Sequence, residues 1–230
     1  MNEADFKIAI LAWIRDASPV DSLPVIALEF SLLGTNIRAD LAALSEDGFV
    51  GVEIKSAGDT LRRLPSQMAG YARCFDHSIV VAAPRHMRNL RPLDLCGASA
   101  WSLHEDGTRI RHVEGVAHDL KPADFLRLMT QEDRSREMRA AERLTGRHGV
   151  EPLPLDDARA AFERAFRRRY AEPSSEFWAA VRDRRIGRDD LRLLSRFFPD
   201  RQRAQDQDRA RSDFWADWNR RIGLELARAG

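Results

Sequence analysis

Three charged residues in the first quarter of the chain have the types and the spacing to act together on a phosphate. They are Asp40, Glu53 and Lys55, and the last two are separated only by Ile54. Carboxylate oxygens are the ligands that Mg²⁺ prefers. An ammonium group beside them can orient a water molecule or stabilise charge that develops on a phosphate. The three residues therefore suggest metal-assisted chemistry, provided that the fold brings them together.

A β-hairpin is the element that the sequence predicts around these residues. Residues 37–44 and 49–55 alternate between apolar and other side chains, and the intervening Ser45-Glu46-Asp47-Gly48 is a hairpin turn signal. The side chains on one face of both strands are apolar, so we expect a core beneath the hairpin. The charged residues occupy the opposite face.

Two registers are open for this hairpin, and both bring the charged residues to one face. If Glu46-Asp47 is a two-residue loop, Asp40 lies opposite Glu53. If Asp47-Gly48 is the loop, Asp40 lies opposite Lys55. Directly opposed residues have Cβ atoms about 5 Å apart, and residues two apart on a strand share a face. A three-residue loop would move Glu53 to the other face and separate the group.

A helix predicted over residues 65–76 follows the hairpin and carries two further polar side chains. Gln67 and Tyr71 lie four residues apart, so they share a helix face and could both reach the charged end of the hairpin. An ordinary solvated helix surface is the alternative. Three arginines flank the pair and are candidate phosphate contacts: Arg62, Arg63 and Arg73.

The composition makes the position of Lys55 informative. The chain has 37 basic residues, of which only Lys7, Lys55 and Lys121 are lysines. In a chain so rich in arginine, a lysine would seldom occur by chance at the third position of Glu-x-Lys. Lysine also offers a compact charge whose pKa can move, which arginine does not.

The order of these residues resembles the PD-(D/E)XK nuclease superfamily, which has the restriction-endonuclease-like fold. Asp40, then Glu53-Ile54-Lys55, then Gln67-x-x-x-Tyr71 matches its pattern, and the Gln/Tyr helix resembles the RecB-type branch. Small stand-alone bacterial and phage proteins are the most similar members. Ala39 stands where the family pattern has Pro. The resemblance covers about residues 25–86.

The resemblance implies an α/β fold, with an αβββαβ core around a mixed sheet, and a Mg²⁺-dependent deoxyribonuclease acting in DNA repair, defence or phage biology. Asp40, Glu53 and the main-chain carbonyl of Ile54 would bind Mg²⁺ or Mn²⁺, with Glu29 as a further ligand. Lys55 would orient or activate the attacking water. The remaining expected site residues would position DNA: Gln67, Tyr71, Arg62 and Arg63.

Other interpretations of the same residues stay open. Glu29 could be an edge-strand carboxylate that faces water. Asp-x12-Glu-x-Lys also occurs by chance in many proteins. A catalytically inactive module that keeps the fold and binds nucleic acid or a protein partner is one rival, and it needs no metal. A structural or regulatory helical protein, in which the hairpin is only scaffolding, is another.

The distribution of charge divides the chain into two predicted regions. Residues 1–120, the nuclease-like domain, hold 12 basic and 16 acidic residues, whereas residues 121–230 hold 25 and 20. The second region is predicted to be helical, and its arginines could contact DNA phosphates. Prolines and glycines separate the predicted helices, which are expected at residues 122–130, 132–146, 155–171, 175–186, 188–198 and about 206–228. Two groups are candidates for this contact: Arg167-Arg168-Arg169, and Arg182 with Arg184 and Arg185. A protein partner or a homodimer through these helices is the alternative.

Several classes of protein are not indicated by the composition. No apolar run reaches the roughly 20 residues of a membrane span, and the N-terminus has no basic segment followed by an apolar one, so we expect a cytoplasmic protein. Cys74 and Cys96 are isolated and are expected to be reduced packing residues. The histidines have no zinc-binding spacing.

Overall fold

The computed structural model describes residues 1–32, 34–91, 93–145 and 157–195. All of these except Ser195 belong to one compact unit, Met1–Leu194. No helix in the described ranges combines the length and apolarity needed to cross a lipid bilayer. A helix predicted over residues 206–228 lies outside the described residues.

Six strands and six α-helices build the described part of this unit. The strands are β1 (Val25–Ser31), β2 (Arg38–Ser45), β3 (Gly48–Lys55), β4 (His77–Ala82), β5 (Ser99–Leu103) and β6 (Arg109–Val113). The helices are α1 (Glu3–Ala17), α2 (Leu64–Tyr71), α3 (Met87–Leu90), α4 (Pro122–Arg127), α5 (Gln131–Thr145) and α6 (Ala158–Ala180). The first six elements follow the predicted order αβββαβ.

The strands form one mixed sheet in chain order, β1 to β6. The pairs β1–β2, β2–β3 and β5–β6 are antiparallel, whereas β3–β4 and β4–β5 are parallel. The α/β class and the mixed sheet predicted from the sequence are therefore confirmed. Helix α2 makes the crossover between β3 and β4, so it must lie against one face of the sheet next to the end of β3.

The hairpin of β2 and β3 has the first of the two predicted registers. Ser45 pairs with Gly48 and Leu41 with Val52, which leaves Glu46-Asp47 as the two-residue loop. Gly48 has a positive φ of 130°, and a Cβ there would lie 2.9 Å from the Asp76 carboxylate. Continued by one residue, this register sets Asp40 opposite Glu53.

Apolar side chains cover both faces of the sheet, whereas the sequence predicted a core beneath only one face of the hairpin. Helix α1 and the end of α6 pack on the face that carries Val52 and Ile54. Helices α2, α4 and α6 pack on the opposite face, where Phe49 meets Phe75 and Phe162 at ring-centroid distances of 4.7 and 4.9 Å. The charged residues of β3 are on this second face and are consequently buried.

Helix α6 runs without a break through Pro173, although the sequence predicted two helices, 155–171 and 175–186. Packing against the edge strand β1 offsets the missing N–H of the proline. Ser174 accepts a hydrogen bond from the N–H of Ile26 at 2.8 Å, and the Trp178 indole donates to the carbonyl of Pro24 at 2.9 Å. The change of composition at residue 121 therefore does not coincide with a break between compact units.

Candidate active site

A polar cleft of about 920 Å³ opens where β2 begins and β3 ends. Asp40, Glu53 and Lys55 line it together with Gln67 of α2 and Glu3 of α1. The hairpin register places Asp40 beside Glu53, and the crossover brings the N-terminal half of α2 over the end of β3. The three residues singled out for their chemistry thus meet in one place.

Glu53 is the most completely bonded group of the cleft, with only 2% of its surface exposed. Its Oε1 accepts hydrogen bonds from Lys55 Nζ at 2.6 Å and Gln67 Nε2 at 2.5 Å, and its Oε2 accepts one from the Tyr71 hydroxyl at 2.6 Å. An ionised carboxylate offers about four lone-pair positions. Three are used here, and the fourth is on Oε2.

The two polar residues of α2 both reach this glutamate, because they lie one helical turn apart. Gln67 also accepts a hydrogen bond from Lys55 at 3.1 Å, so it bridges the ion pair. Tyr71 is fully buried, and burial followed by the charge of Glu53 raises the pKa of its hydroxyl, which therefore stays a donor. A side chain with no exposed surface cannot touch substrate, so Tyr71 positions Glu53.

Asp40 is half-buried and accepts a hydrogen bond from the N–H of Ile54 at 2.6 Å. Burial and then the negative charge of Glu53 raise its pKa to about 7, although the Ile54 N–H acts in the opposite direction. The carboxyl is therefore poised to take up a proton near neutrality. A cation beside it would favour the charged form instead.

Glu29 lies in an irregular part of β1, which breaks the alternation of its side chains. It has a φ of 54°, which is uncommon for a residue other than glycine, and the β1–β2 ladder skips it. Its carboxylate accepts hydrogen bonds from Lys7 and, at 2.7 Å, makes an ion pair with Arg38. Glu29 is therefore bound by two cations rather than simply facing water.

Glu3 of α1 lines the cleft and Lys7 of the same helix binds two of its carboxylates, and sequence reasoning missed both. Lys7 Nζ lies 2.6 Å from a Glu3 oxygen and also binds Glu29. Burial alone would lower the pKa of Lys7, but these two carboxylates outweigh it and the pKa is raised. The rarity of lysine in this chain, which made Lys55 informative, applies equally to Lys7.

The carboxylates of the cleft include a group with the composition of a hard-cation site. One oxygen each from Glu3, Glu29 and Asp40 lie within 4.8 Å of one another. An all-oxygen set of this kind fits Mg²⁺ or Mn²⁺. Glu53, which was predicted as a ligand, keeps a single lone-pair position, and Lys7 would compete with a cation for Glu29.

The predicted arginine contacts differ in their surroundings. Arg63 lines the cleft, whereas Arg62 is exposed and is not among the lining residues. Arg168 and Arg169 of α6 pair with Asp133 of α5, and Arg184 pairs with Asp190. These three guanidinium groups are engaged within the protein, which reduces what they can offer to DNA.

The remaining members of the two arginine groups are exposed. Within the described residues, Arg167, Arg182 and Arg185 form no ion pair. Arg167 belongs to α6, whereas Arg182 and Arg185 follow the end of that helix at Ala180.

Comparisons with known proteins identify a family for this chain. A search of curated proteins finds no match. Among solved structures, a protein of unknown function from Silicibacter pomeroyi is similar at a TM-score of 0.42 and 14% identity, over 66% of this chain and 98% of that one. The model of the family described as Bacteriophage P4 protein cII matches residues 1–195, which include every described residue. The chain therefore belongs to the family of bacteriophage P4 protein cII.

Proposed function

We propose that the chain is a metal-dependent nuclease that hydrolyses phosphodiester bonds of DNA. The observation that carries this proposal is the convergence of Asp40, Glu53 and Lys55 on one open polar cleft. A buried Glu–Lys pair is weak as a stabilising device, because desolvation offsets much of its attraction and an apolar pair of similar volume often does better. Its presence at the wall of a cleft favours a chemical role.

Lys55 is the group best suited to act on the substrate. An ammonium group has three donors, and Lys55 directs two of them at Glu53 and Gln67. The third is left for a water molecule or a phosphate oxygen in the cleft. Glu53 fixes the direction of the ammonium group, and Gln67 and Tyr71 in turn fix Glu53. Such pre-ordered charge lowers a barrier more than mobile charge does.

The chain's own carboxylates would hold the metal. Asp40 and Glu29, with Glu3 nearby, face the cleft, and Glu53 and the carbonyl of Ile54 complete the set that the nuclease resemblance implies. Bound Mg²⁺ or Mn²⁺ would polarise the phosphate and lower the pKa of water. Arg38 and Arg63 line the same cleft and can contact the phosphates on either side of the reacting one.

Cleavage of purified plasmid and linear DNA tests this function. We expect cutting with Mg²⁺ or Mn²⁺ and none with a chelator. Asp40→Asn and Lys55→Met should each remove it while Asp47→Asn, an exposed change in the turn of the same hairpin, should not. The proposal fails if no DNA form is cut under any metal condition, or if both site variants cut like the wild type.

A non-catalytic module that binds nucleic acid or a protein is the second candidate, and one observation favours it. Both oxygens of Glu53 and both of Glu29 are already engaged by protein donors or cations. A set of internal ion pairs of this kind needs no metal. Binding of DNA that is unchanged by a chelator, without cleavage, would select this candidate.

A further inference from the structure

A second cleft, of about 750 Å³, lies next to the candidate active site. Thr35 lines both clefts, and α2 also contributes to both: Ser66 and Gln67 face the first, and Gly70 and the following Arg73 line the second. A Cβ at Gly70 would lie 2.4 Å from Ile37 Cδ1, the end of a side chain that would have to move aside. The loop before β2 therefore lies close against α2, and the two clefts are neighbours.

Arginine dominates the charge of this second cleft. Arg73, Arg127 and Arg134 line it and are all exposed. Asp124 is the one carboxylate in its described lining, and its contact with Arg127 is long, at 3.4 Å. Arg73 and Arg134 form no ion pair with any described residue. The cleft thus presents cations whose charge is left largely uncompensated by the residues that the structure describes.

The lining also limits what kind of anion the cleft suits. No described residue that lines it is aromatic, so it offers no ring face on which a base could stack. Guanidinium groups, with the Gln131 amide beside them, are donors suited to phosphate oxygens. The first cleft holds five acidic residues, which would repel a polyanion: Glu3, Glu29, Asp40, Glu53 and Asp59. Cations next to it would offset that repulsion.

We propose that the cleft of Arg73, Arg127 and Arg134 binds the sugar-phosphate backbone of DNA, continuing the path of the strand from the candidate active site past Thr35. This inference rests on the proposed function for its ligand. It assigns the phosphate contact to three residues that do not occur together in the nuclease pattern or in the two arginine groups predicted from the sequence. The contact is with the backbone alone, so the binding is independent of base sequence.

The test compares two full-length triple variants that carry the same reduction in charge. One is Arg73→Gln, Arg127→Gln, Arg134→Gln. The matched control is Arg85→Gln, Arg88→Gln, Arg91→Gln, at exposed positions that line neither cleft and lack ion pairs within the described structure. Binding of a fluorescein-labelled DNA duplex is followed by anisotropy in a chelator, so that nothing is cut, over a series of salt concentrations and with two unrelated sequences. Circular dichroism checks that both variants are folded.

We expect the first variant to bind both duplexes more weakly and the control to resemble the wild type. Removing one arginine–phosphate interaction should reduce the slope of log K against log salt by about 0.9, so the slope should flatten by about 2.7 when all three are removed. Equal slopes and affinities for the two variants, whether both unchanged or both reduced, would overturn the proposal, as would wild-type protein that does not bind DNA.

Cleavage assays separate this inference from the function on which it rests. If the wild type binds DNA with the expected slope but cuts none with Mg²⁺ or Mn²⁺, the nuclease function fails and the phosphate contact stands. If the wild type cuts and the arginine variant has the same KM as the control, the contact fails and the nuclease stands. A raised KM with little change in kcat supports both.

Discussion

Replacing Asp40 by asparagine should protect the protein against a loss of stability that accompanies a rise in pH towards about 7. The pKa of Asp40 is raised from 3.8 to about 7, first by burial and then by the charge of Glu53. Between these values the native protein keeps a proton that the unfolded chain releases, so the stability falls as the pH rises and levels off above about 7. Asparagine is neutral at every pH and can still accept the hydrogen bond from Ile54.

The size of the effect follows from the range over which Asp40 loses its proton. The interval from about pH 5 to the native pKa corresponds to about 2–3 kcal/mol at about 1.36 kcal/mol per pH unit. Because Asp40 is only half-buried, the lower end is the better expectation. The advantage of Asp40→Asn over the wild type should therefore grow by about 2 kcal/mol between about pH 5 and 8.5, or roughly 4–8 °C in Tm for a chain of this size.

Urea and thermal unfolding of the two proteins at both pH values measure this difference, with Asp47→Asn as the control for removal of an exposed carboxylate. Mg²⁺ adds a second comparison. At the higher pH it should raise the Tm of the wild type, because a cation bound only to the native state stabilises it, and it should raise that of Asp40→Asn much less. If the stability difference between the two proteins is the same at both pH values, ionised Asp40 does not destabilise the native protein. If Mg²⁺ raises the Tm of both proteins equally, Asp40 is not a ligand.

Substitutions at Lys55, Tyr71 and Gly51 also have defined outcomes. Lys55→Met should lower the cleavage rate about hundredfold or more. Because Lys55 is buried in an ion pair, this substitution should also lower the Tm measured in thermal unfolding. Lys55→Arg should restore cleavage only in part. Tyr71→Phe removes a donor from a buried carboxylate and should cost roughly 1–3 kcal/mol in urea unfolding, and an unchanged unfolding curve would mean that the hydroxyl bond contributes nothing. Gly51→Ala places a Cβ 2.4 Å from the Phe75 ring and should cost roughly 1–3 kcal/mol or more, whereas Gly58→Ala, with nothing within 4 Å, should be nearly neutral.

The parts of the site that the sequence predicted are those set by local pattern. The alternation of β2 and β3 and the two-residue turn fix which side chains share a face, so the meeting of Asp40, Glu53 and Lys55 could be derived within some 20 residues. The spacing of Gln67 and Tyr71 works in the same way within one helix. Each inference needed only the geometry of a single hairpin or a single helix.

The parts that the sequence did not predict depend on how distant elements pack. Glu3 reaches the cleft, and Lys7 reaches Glu29, because α1 docks on the sheet, and no local periodicity in the sequence predicts that docking. The unbroken course of α6 through Pro173 depends on its contacts with β1, which outweigh a local propensity that favours a break. The same docking joins α6 to the core of the first 120 residues, so a composition boundary at 121 does not mark a separate unit.

The burial of Glu53 and Lys55 is the feature that most sharply constrains any account of this protein. A scaffold that needed only stability would be served better by apolar residues here, since the same face already holds a cluster of phenylalanines. Instead, α2 contributes Met68 to the core and Gln67 and Tyr71 to the ion pair, so one helix both closes the core and holds the charges in place. A hydrogen-bonded pair fixed in this way at the wall of an open cleft is what a catalyst requires, because its charges need not reorganise during the reaction. Binding alone would be satisfied by the exposed arginines next to it. The loss of cutting without loss of binding in Lys55→Met would therefore distinguish a catalyst from a binding module more directly than any change in affinity.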